Sequence, residues 1–269
     1  MTLNFGESIM AYQSISLTTE AGVGLIMLNR PEALNAVNDA MRIELTEALC
    51  KLESDPEIRV LVVSGSGKAF SAGADLRHIK LLYEEFRRFG HGTQYGGPEL
   101  ARAFFAFPKP MIAAINGVAV GWGMTMPLAC DIRIASTQAR FSAAFVRAGL
   151  TPEFGSTYLL PRLIGYGRAA ELVFTGRMLQ AEEALEIGLV NRLVPHEELM
   201  TESMSLARSI AGQPLEALIK SKGLLRRGLE AVLEQWIEYE ALVFRECMTS
   251  EEHYQAVVTL LGKMDSKEK

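Results

Sequence analysis

Two apolar runs, each followed by a glycine-containing turn and a helical pattern, constrain the fold of this chain most strongly. The run at 59–64 (RVLVVS) leads through a Gly/Ser-rich loop at 65–73 to a helix that begins near Asp75. The run at 111–116 (MIAAIN) leads through GVAVGWG to a further helix. Continuous apolar runs of this length are typical of strands that are covered on both faces. Helices between such strands indicate parallel pairing through crossover connections, so the sequence predicts an α/β fold.

Segments on either side extend this pattern. We predict strands at 12–18, 23–29 and 132–135, the first two joined by a tight turn. Asn38 is expected to cap a helix. The apolar face of that helix is predicted to consist of Met41, Leu45, Ala48, Leu49 and Leu52.

The last third of the chain is predominantly helical in pattern. Its clearest segment is 229–247, where Trp236 and Phe244 lie on an apolar stripe with spacings of three and four residues. We therefore predict two regions, an α/β core over 1–195 and a C-terminal helical region over 196–269. The stripe is expected to pack on the core or on a neighbouring subunit.

The composition excludes several classes of protein. The 269 residues include 27 basic and 32 acidic side chains, a net charge of −5 without a long run of either sign. This balance argues against binding to nucleic acid or to a membrane surface. Three widely separated cysteines fit a reducing cytoplasm, and four scattered histidines predict no metal site. The sequence shows neither a signal peptide at its start nor an apolar run long enough to span a membrane.

The two glycine-containing turns suggest a shared chemical role. The segments AFSAGADL (69–76) and NGVAVGWGMT (116–125) each follow a strand and lead into a helix. Small residues allow a ligand to approach the backbone, and the first amides of a helix lack intrahelical acceptors. If the two turns face each other, two N–H groups can bind one oxyanion. Either turn taken alone is more typical of tight turns and close packing.

Together with further motifs, the turns resemble the crotonase superfamily, the enoyl-CoA hydratase/isomerase family. The resemblance begins at LNRPEALNAV, continues through both turns to ACDIRIAS, and then includes ARFSAAFVRAGLTPEFGSTYLLPRLIG and LVFTGRMLQAEEALEIGLVNRLVP. It implies a spiral of ββα units with a C-terminal helical trimerisation region. It also implies a homotrimer or homohexamer that acts on an acyl-CoA thioester. No separate cofactor is expected, because coenzyme A is part of the substrate.

The resemblance assigns the backbone amides of Ala74 and Trp122 as the two donors to the enolate oxygen. It also implies a surface that binds coenzyme A, formed by Arg30, Ala33, Ala72, Asp75, Leu76 and Arg77. Guanidinium groups suit phosphate oxygens, whereas an acid after a glycine loop, such as Asp75, is typical of a helix start. Trp122 replaces a residue that is commonly small in the family, and Pro127 follows it in the next helix. Both departures indicate an acyl pocket of unusual shape.

The acid–base residues decide which reaction the resemblance implies. Hydratases of the family use two glutamates, and the corresponding positions here are Thr125 and Phe145, neither of which can act as a carboxylate base. Glu153, in LTPEFGSTY, lies where isomerases of the family place a single acidic residue. Migration of a double bond needs only one base, so we expect conversion of a 3-enoyl-CoA to a 2-enoyl-CoA. Apolar neighbours such as Leu150 and Phe154 should raise the pKa of Glu153.

Several alternatives remain open from the sequence alone. Glu153 could be a helix-start carboxylate stabilised by the helix dipole. The reaction could be hydration, decarboxylation or thioester hydrolysis that uses a water molecule. The chain could also bind acyl-CoA without catalysing a reaction.

Overall fold

The computed structural model describes residues 12–89 and 98–228, apart from the side chains of residues 76, 77, 80, 82, 83, 86 and 87. The strands are β1 (Ile15–Glu20), β2 (Val23–Leu28), β3 (Val60–Gly65), β4 (Ala69–Ser71), β5 (Met111–Ile115), β6 (Val118–Val120), β7 (Ile132–Ser136), β8 (Arg140–Ser142), β9 (Leu179–Gln180) and β10 (Arg192–Val194). The helices are α1 (Asp39–Ser54), α2 (Leu76–Phe89), α3 (Glu99–Ala106), α4 (Trp122–Thr125), α5 (Ser156–Ile164), α6 (Tyr166–Thr175), α7 (Ala181–Glu186), α8 (Leu199–Ala211) and α9 (Leu215–Gly228). Short 3-10 helices cover Pro31–Ala33, Met126–Ala129, Ala144–Ala148 and His196–Glu198.

The described strands form two sheets, and the chain alternates between them. The larger sheet has the order β1-β2-β3-β5-β7-β10, and the smaller sheet has the order β4-β6-β8-β9. Three successive pairs of strands divide between the sheets: the first strand of each pair lies in the larger sheet and the second in the smaller sheet. These pairs are β3 and β4, β5 and β6, and β7 and β8. Repetition of this unit produces an α/β spiral, which confirms the predicted fold class.

Parallel pairing in the smaller sheet aligns the ends of its strands. β4 pairs with β6, and β6 pairs with β8, in both cases in parallel. Parallel neighbours run in the same direction about 4.8 Å apart, so their carboxyl ends lie along one edge of the sheet. The segments that follow Ser71, Val120 and Ser142 therefore emerge side by side, although they are far apart in sequence.

The larger sheet is covered on both faces, as its continuous apolar strands predict. Leu61 and Val63 of β3 belong to a core cluster that includes α1. Val60 and Val62, which point to the opposite face, pack in a second cluster with α8. The predicted strands 59–64, 111–116 and 132–135 are thus confirmed as β3, β5 and β7, with ends that differ by one residue.

The helix predicted after Asn38 is confirmed as α1. The Asn38 side chain accepts a hydrogen bond from the Met41 amide at 2.9 Å, which satisfies one of the amide groups of the first turn. The buried face of α1 consists of the predicted residues Met41, Leu45, Ala48, Leu49 and Leu52.

The chain beyond residue 195 begins with two described helices. Leu199, Met204 and Ala207 of α8 are buried against the second face of the larger sheet. In α9, Lys222 is buried and lies 2.8 Å from Asp131, so this helix is tied to the segment that precedes β7. The division at residue 195 stays a prediction.

The apolar stripe predicted at 229–247 lies outside the described residues. Within residues 12–89 and 98–228, the structure contains no helix that is both long and apolar enough to cross a membrane.

Candidate active site

A cavity of about 450 Å³ opens where β4, β6 and β8 end. Its walls come from the three turns that the smaller sheet brings together and from the segment that precedes α5. Ala72 and Ala74 follow β4, Trp122 follows β6, and Ala144 follows β8. Most of this lining is apolar, so an acyl group would be separated from water there.

Gly73 brings the first turn against the second. Its φ of +93° lies in the left-handed region, which glycine adopts without steric cost. A β-carbon at Gly73 would lie 3.5 Å from the Trp122 backbone nitrogen. The turns after β4 and β6 are therefore in direct backbone contact, as they must be if their amides are to bind the same oxyanion.

The amides of Ala74 and Trp122 have no acceptor among the described residues. The groups beside Ala74 are engaged: the Gly73 carbonyl accepts from the Val37 amide at 2.7 Å, and the Asp75 amide donates to the Val37 carbonyl at 3.0 Å. Both free amides belong to residues that line the cavity. Two unpaired N–H groups on adjoining turns could bind one oxyanion.

Side-chain hydrogen bonds hold the turn that carries Ala74. The Ser71 hydroxyl donates to the Asn35 carbonyl at 2.8 Å and accepts from the Gly73 amide at 3.1 Å. Asn35 in turn donates from its side chain to the Ala69 carbonyl at 2.8 Å. All of these groups are buried, so the turn is fixed before any ligand binds.

Glu153 is the one carboxylate among the described residues that line the cavity. Its side chain is half-buried and makes no hydrogen bond or ion pair within the described part of the chain. Burial raises the pKa of this carboxyl, and the positive charge of Arg42 opposes the shift. The alternative role at the start of α5 has no support from capping, because Gly155 is the cap residue and no side chain caps the helix.

The two positions that correspond to hydratase glutamates contribute no acid. Thr125 is fully buried, and its hydroxyl donates to the Trp122 carbonyl at a long 3.4 Å. Phe145 lines the cavity with an apolar ring. An acid–base pair of carboxylates is therefore absent from the described lining of this cavity.

Trp122 is buried and is one of the residues that line the cavity. Pro127 lies in the first turn of the 3-10 helix Met126–Ala129, where its missing N–H has no intrahelical partner to lose. Neither departure from the family pattern displaces the Trp122 amide from the cavity.

The residues predicted to bind coenzyme A fall into three groups. Ala72 lines the cavity, and Ala33 is half-buried in the 3-10 turn Pro31–Ala33. Arg30 and Asp75 are engaged with each other at 3.2 Å. The side chains of Leu76 and Arg77 are outside the described part of the structure.

Arg30 and Asp75 both have structural tasks. The Arg30 guanidinium also donates to the Ala36 carbonyl, which holds the loop after β2. A carboxylate oxygen of Asp75 accepts from the His78 amide at 3.4 Å, in the first turn of α2. This arrangement agrees with the reading of Asp75 as a helix-start residue.

Two further features of the site were not predicted from the sequence. Ile79 of α2 and Arg147 of the 3-10 helix after β8 also line the cavity. Phe154 adopts a left-handed conformation with a φ of +58°. The glycine that follows Phe154 was the only local signal of an unusual backbone at this point.

The fold and the cavity agree with the family that the sequence motifs resemble, and comparison with known proteins identifies that family. The family model described as enoyl-CoA hydratase/isomerase matches residues 18–266. The chain belongs to this family, the crotonase superfamily.

Similar proteins carry two kinds of name. A short-chain-enoyl-CoA hydratase of Clostridium acetobutylicum is 37% identical over 256 residues, which are 94% of this chain and 97% of that protein. A 1,2-epoxyphenylacetyl-CoA isomerase of Escherichia coli is 37% identical over 245 residues, 91% of this chain and 94% of that protein. Among solved structures, an enoyl-CoA hydratase from Bacillus anthracis has a TM-score of 0.85 and 33% identity, with 93% of this chain and 97% of that chain covered.

These names bear on the predicted reaction. The prediction of an enzyme of the hydratase/isomerase family is confirmed. The narrower prediction of an isomerase is not, because several of the similar proteins are named hydratases. The names favour the hydratase alternative, whereas the single carboxylate in the described lining of the cavity favours isomerisation.

Proposed function

We propose that this enzyme moves the double bond of a 3-enoyl-CoA to the 2-position, with Glu153 as its single acid–base group. The observation that carries the proposal is the lone carboxylate: Glu153 lines the same cavity as the free amides of Ala74 and Trp122, and no second described carboxylate does. Isomerisation needs one group that both removes and returns a proton. Hydration needs water activation and proton delivery, which two carboxylates perform more readily than one.

The steps follow from the positions of these groups. The Glu153 carboxylate removes a proton from the α-carbon of the thioester, and the electron pair moves to the thioester oxygen. The amides of Ala74 and Trp122 donate hydrogen bonds to the resulting enolate oxygen. The double bond then re-forms between the α- and β-carbons as the γ-carbon takes the proton back from Glu153. No atom is gained or lost, and the carboxylate is restored.

Burial of Glu153 supports both halves of this cycle. A carboxyl group with a raised pKa is a stronger base when ionised than an ordinary glutamate. Its lack of a fixed partner leaves it free to face the α-carbon and then the γ-carbon.

Hydration of a 2-enoyl-CoA is the second candidate function. The names of similar proteins favour it, among them the short-chain-enoyl-CoA hydratase of Clostridium acetobutylicum. In that case Glu153 would activate the water molecule and the same group would deliver the proton.

Chromatographic separation of the products followed by mass spectrometry distinguishes the two candidates, because an isomer differs from its substrate in retention and a hydration product differs in mass. The enzyme should convert hex-3-enoyl-CoA to an isomer of unchanged mass, and it should add water to hex-2-enoyl-CoA slowly or not at all. Glu153→Gln should reduce isomerisation by about two to four orders of magnitude, the usual contribution of a positioned base. Glu57→Gln, at an exposed position, is the matched control. Rapid gain of one water by hex-2-enoyl-CoA, with no isomerisation, would establish the hydratase reading instead.

The proposal extends to assembly and location. We infer a homotrimer or homohexamer in the cytoplasm, with residues 1–195 as the acyl-CoA-binding core and 196–269 as the helical region that mediates assembly. The family resemblance supports the assembly, and the free thiols of Cys50 and Cys130 support a reducing compartment. A monomer in light scattering at micromolar concentration would contradict it.

A further inference from the structure

Phe154 has an unusual backbone conformation beside the proposed base. Its φ is +58°, and the next residue, Gly155, has a φ of +69°. Glycine adopts this region freely, but a bulky side chain there is rare and strained. Such strain persists only where the surrounding structure enforces it, and it concentrates at functional sites. The question is what holds Phe154 there.

The Phe154 ring is held by three other aromatic rings. It meets Phe104 edge to face, with centroids 5.6 Å apart and planes at 69°. It meets Trp122 in the same manner, at 6.0 Å and 87°. Phe105 lies 6.3 Å away at a tilt of 39°. Edge-to-face pairs at these distances are favourable, and the Phe154 ring is buried.

The backbone on both sides of Phe154 is also fixed. The Glu153 carbonyl accepts two hydrogen bonds from Ser156, one from its amide at 3.1 Å and one from its hydroxyl at 2.6 Å. A β-carbon at Gly155 would lie 3.1 Å from the Phe105 ring, so Gly155 fits closely beneath that ring. The Glu153 carboxylate has no partner in the described part of the protein. These contacts of the main chain are therefore what hold Glu153 in place.

The same ring contacts the residue that supplies one of the two oxyanion donors. Trp122 provides an amide to the cavity, and its indole touches the Phe154 ring. Phe154 itself is not part of the cavity lining. It thus links the base and an oxyanion donor from behind the wall, without access to a substrate.

We propose that Phe154 is a positioning residue that sets the separation between the Glu153 carboxylate and the Trp122 amide. The inference rests on the proposed role of Glu153. Without the ring, the left-handed turn at 154–155 relaxes, and Glu153 moves away from the α-carbon of the substrate. A displacement of about 1 Å in a catalytic geometry reduces turnover by as much as a hundredfold.

The test compares Phe154→Leu with Phe104→Leu. Among the described rings, Phe154→Leu loses the edge-to-face contacts to both Phe104 and Trp122, whereas Phe104→Leu loses only the contact to Phe154, and Phe104 is the more deeply buried ring. Both should be less stable to heat. Only Phe154→Leu should lower kcat, by about tenfold to a hundredfold, while KM and the calorimetric affinity for acetoacetyl-CoA change little.

A pH profile provides a readout that loss of stability does not change. Relaxation of the turn should let water reach Glu153, so the ionisation seen in kcat/KM should shift to lower pH in Phe154→Leu and stay in place in Phe104→Leu. If Phe154→Leu does not fold, Phe154→Met serves in its place with the same expectations.

The outcomes separate this inference from the proposed function. If turnover of the parent enzyme does not depend on Glu153, the proposed function fails first. If it does depend on Glu153 but the Phe154 and Phe104 variants have equal kcat and equal pH profiles, the positioning role is overturned.

Discussion

The backbone of Gly73 lies against the amide of Trp122. A β-carbon at Gly73 would be 3.5 Å from that nitrogen and 2.6 Å from the Val120 carbonyl oxygen. A contact of 2.6 Å with a backbone oxygen is too short, and the φ of +93° adds conformational strain for any other residue. Glycine at this position therefore sets the distance between the two proposed oxyanion donors.

Gly73→Ala should consequently impair catalysis more than folding. The added methyl group pushes the Ala74 turn away from Trp122, and loss of one oxyanion donor costs about a hundredfold or more in kcat. The control is Gly165→Ala, because Gly165 has a φ of +82° but no atom within 4 Å of its β-carbon position. Steady-state kinetics and thermal unfolding of both variants measure the difference. Equal kcat values in the two variants would show that the close approach of the turns has no catalytic role.

The pH–rate profile of isomerisation should show a single ionisation on its acidic side. Burial raises the pKa of Glu153 above its ordinary value, and the base must be ionised to remove a proton. The rate constant kcat/KM should therefore rise with pH through a pKa above about 4.3, the value of a solvated glutamate. A pH–rate profile measured with hex-3-enoyl-CoA checks this. A limb at the ordinary value would mean that the carboxylate is solvated in the working enzyme.

Glu153→Gln should stabilise the fold at neutral pH. The pKa of Glu153 is raised in the folded state, so the folded protein binds a proton at this carboxyl more tightly than the unfolded chain does. The stabilisation that comes from this tighter proton binding is complete below the unfolded pKa and is lost as pH rises through the folded pKa. At neutral pH the parent therefore carries a partly buried negative charge, which the amide variant lacks. Urea unfolding should show the variant to be more stable at pH 7 than the parent. The gap should narrow toward pH 4, and a variant less stable than the parent at pH 7 would contradict the sign.

The sequence predicted the parts of the fold that follow from local periodicity. The apolar face of α1 and its Asn38 cap are both observed, because spacing and capping chemistry are local properties. β4 and β6 were not predicted, since the loop at 65–73 contains β4 and the GVAVGWG turn contains β6. Strands of three residues are too short to show a period of two. Their pairing depends on the spiral as a whole.

In the candidate site, too, some residues could be predicted from local motifs, and one feature depends on the tertiary structure. Glu153, Ala74 and Trp122 were proposed from motifs, and the structure brings all three to one cavity. The strained turn at Phe154 was not foreseen, because the rings that enforce it come from α3 and α4, which are distant in sequence. Tertiary packing, rather than local preference, determines that conformation.

In the ion pair of α9, Asp131 should contribute more than Lys222 to the free energy of unfolding. The Lys222 ammonium lies 2.8 Å from Asp131 and donates to the Lys109 carbonyl at 2.7 Å. Asp131 also accepts from the Met111 amide at 2.8 Å and pairs with Arg226 at 3.1 Å. Its carboxylate is therefore the shared acceptor that joins α9 to the ends of β5 and β7.

Asp131→Asn should lower the free energy of unfolding by about 3 kcal/mol, because it leaves the buried ammonium without a counter-charge. Burial lowers the pKa of Lys222, so the charged form is already disfavoured, and Lys222→Met should cost less. Lys220→Met is the control, since the pair of Lys220 with Glu216 on the same helix is worth about 0.5 kcal/mol or less. Urea unfolding of the three variants gives the order. If Asp131→Asn cost no more than Lys220→Met, the α9 ion pair would not anchor the helix.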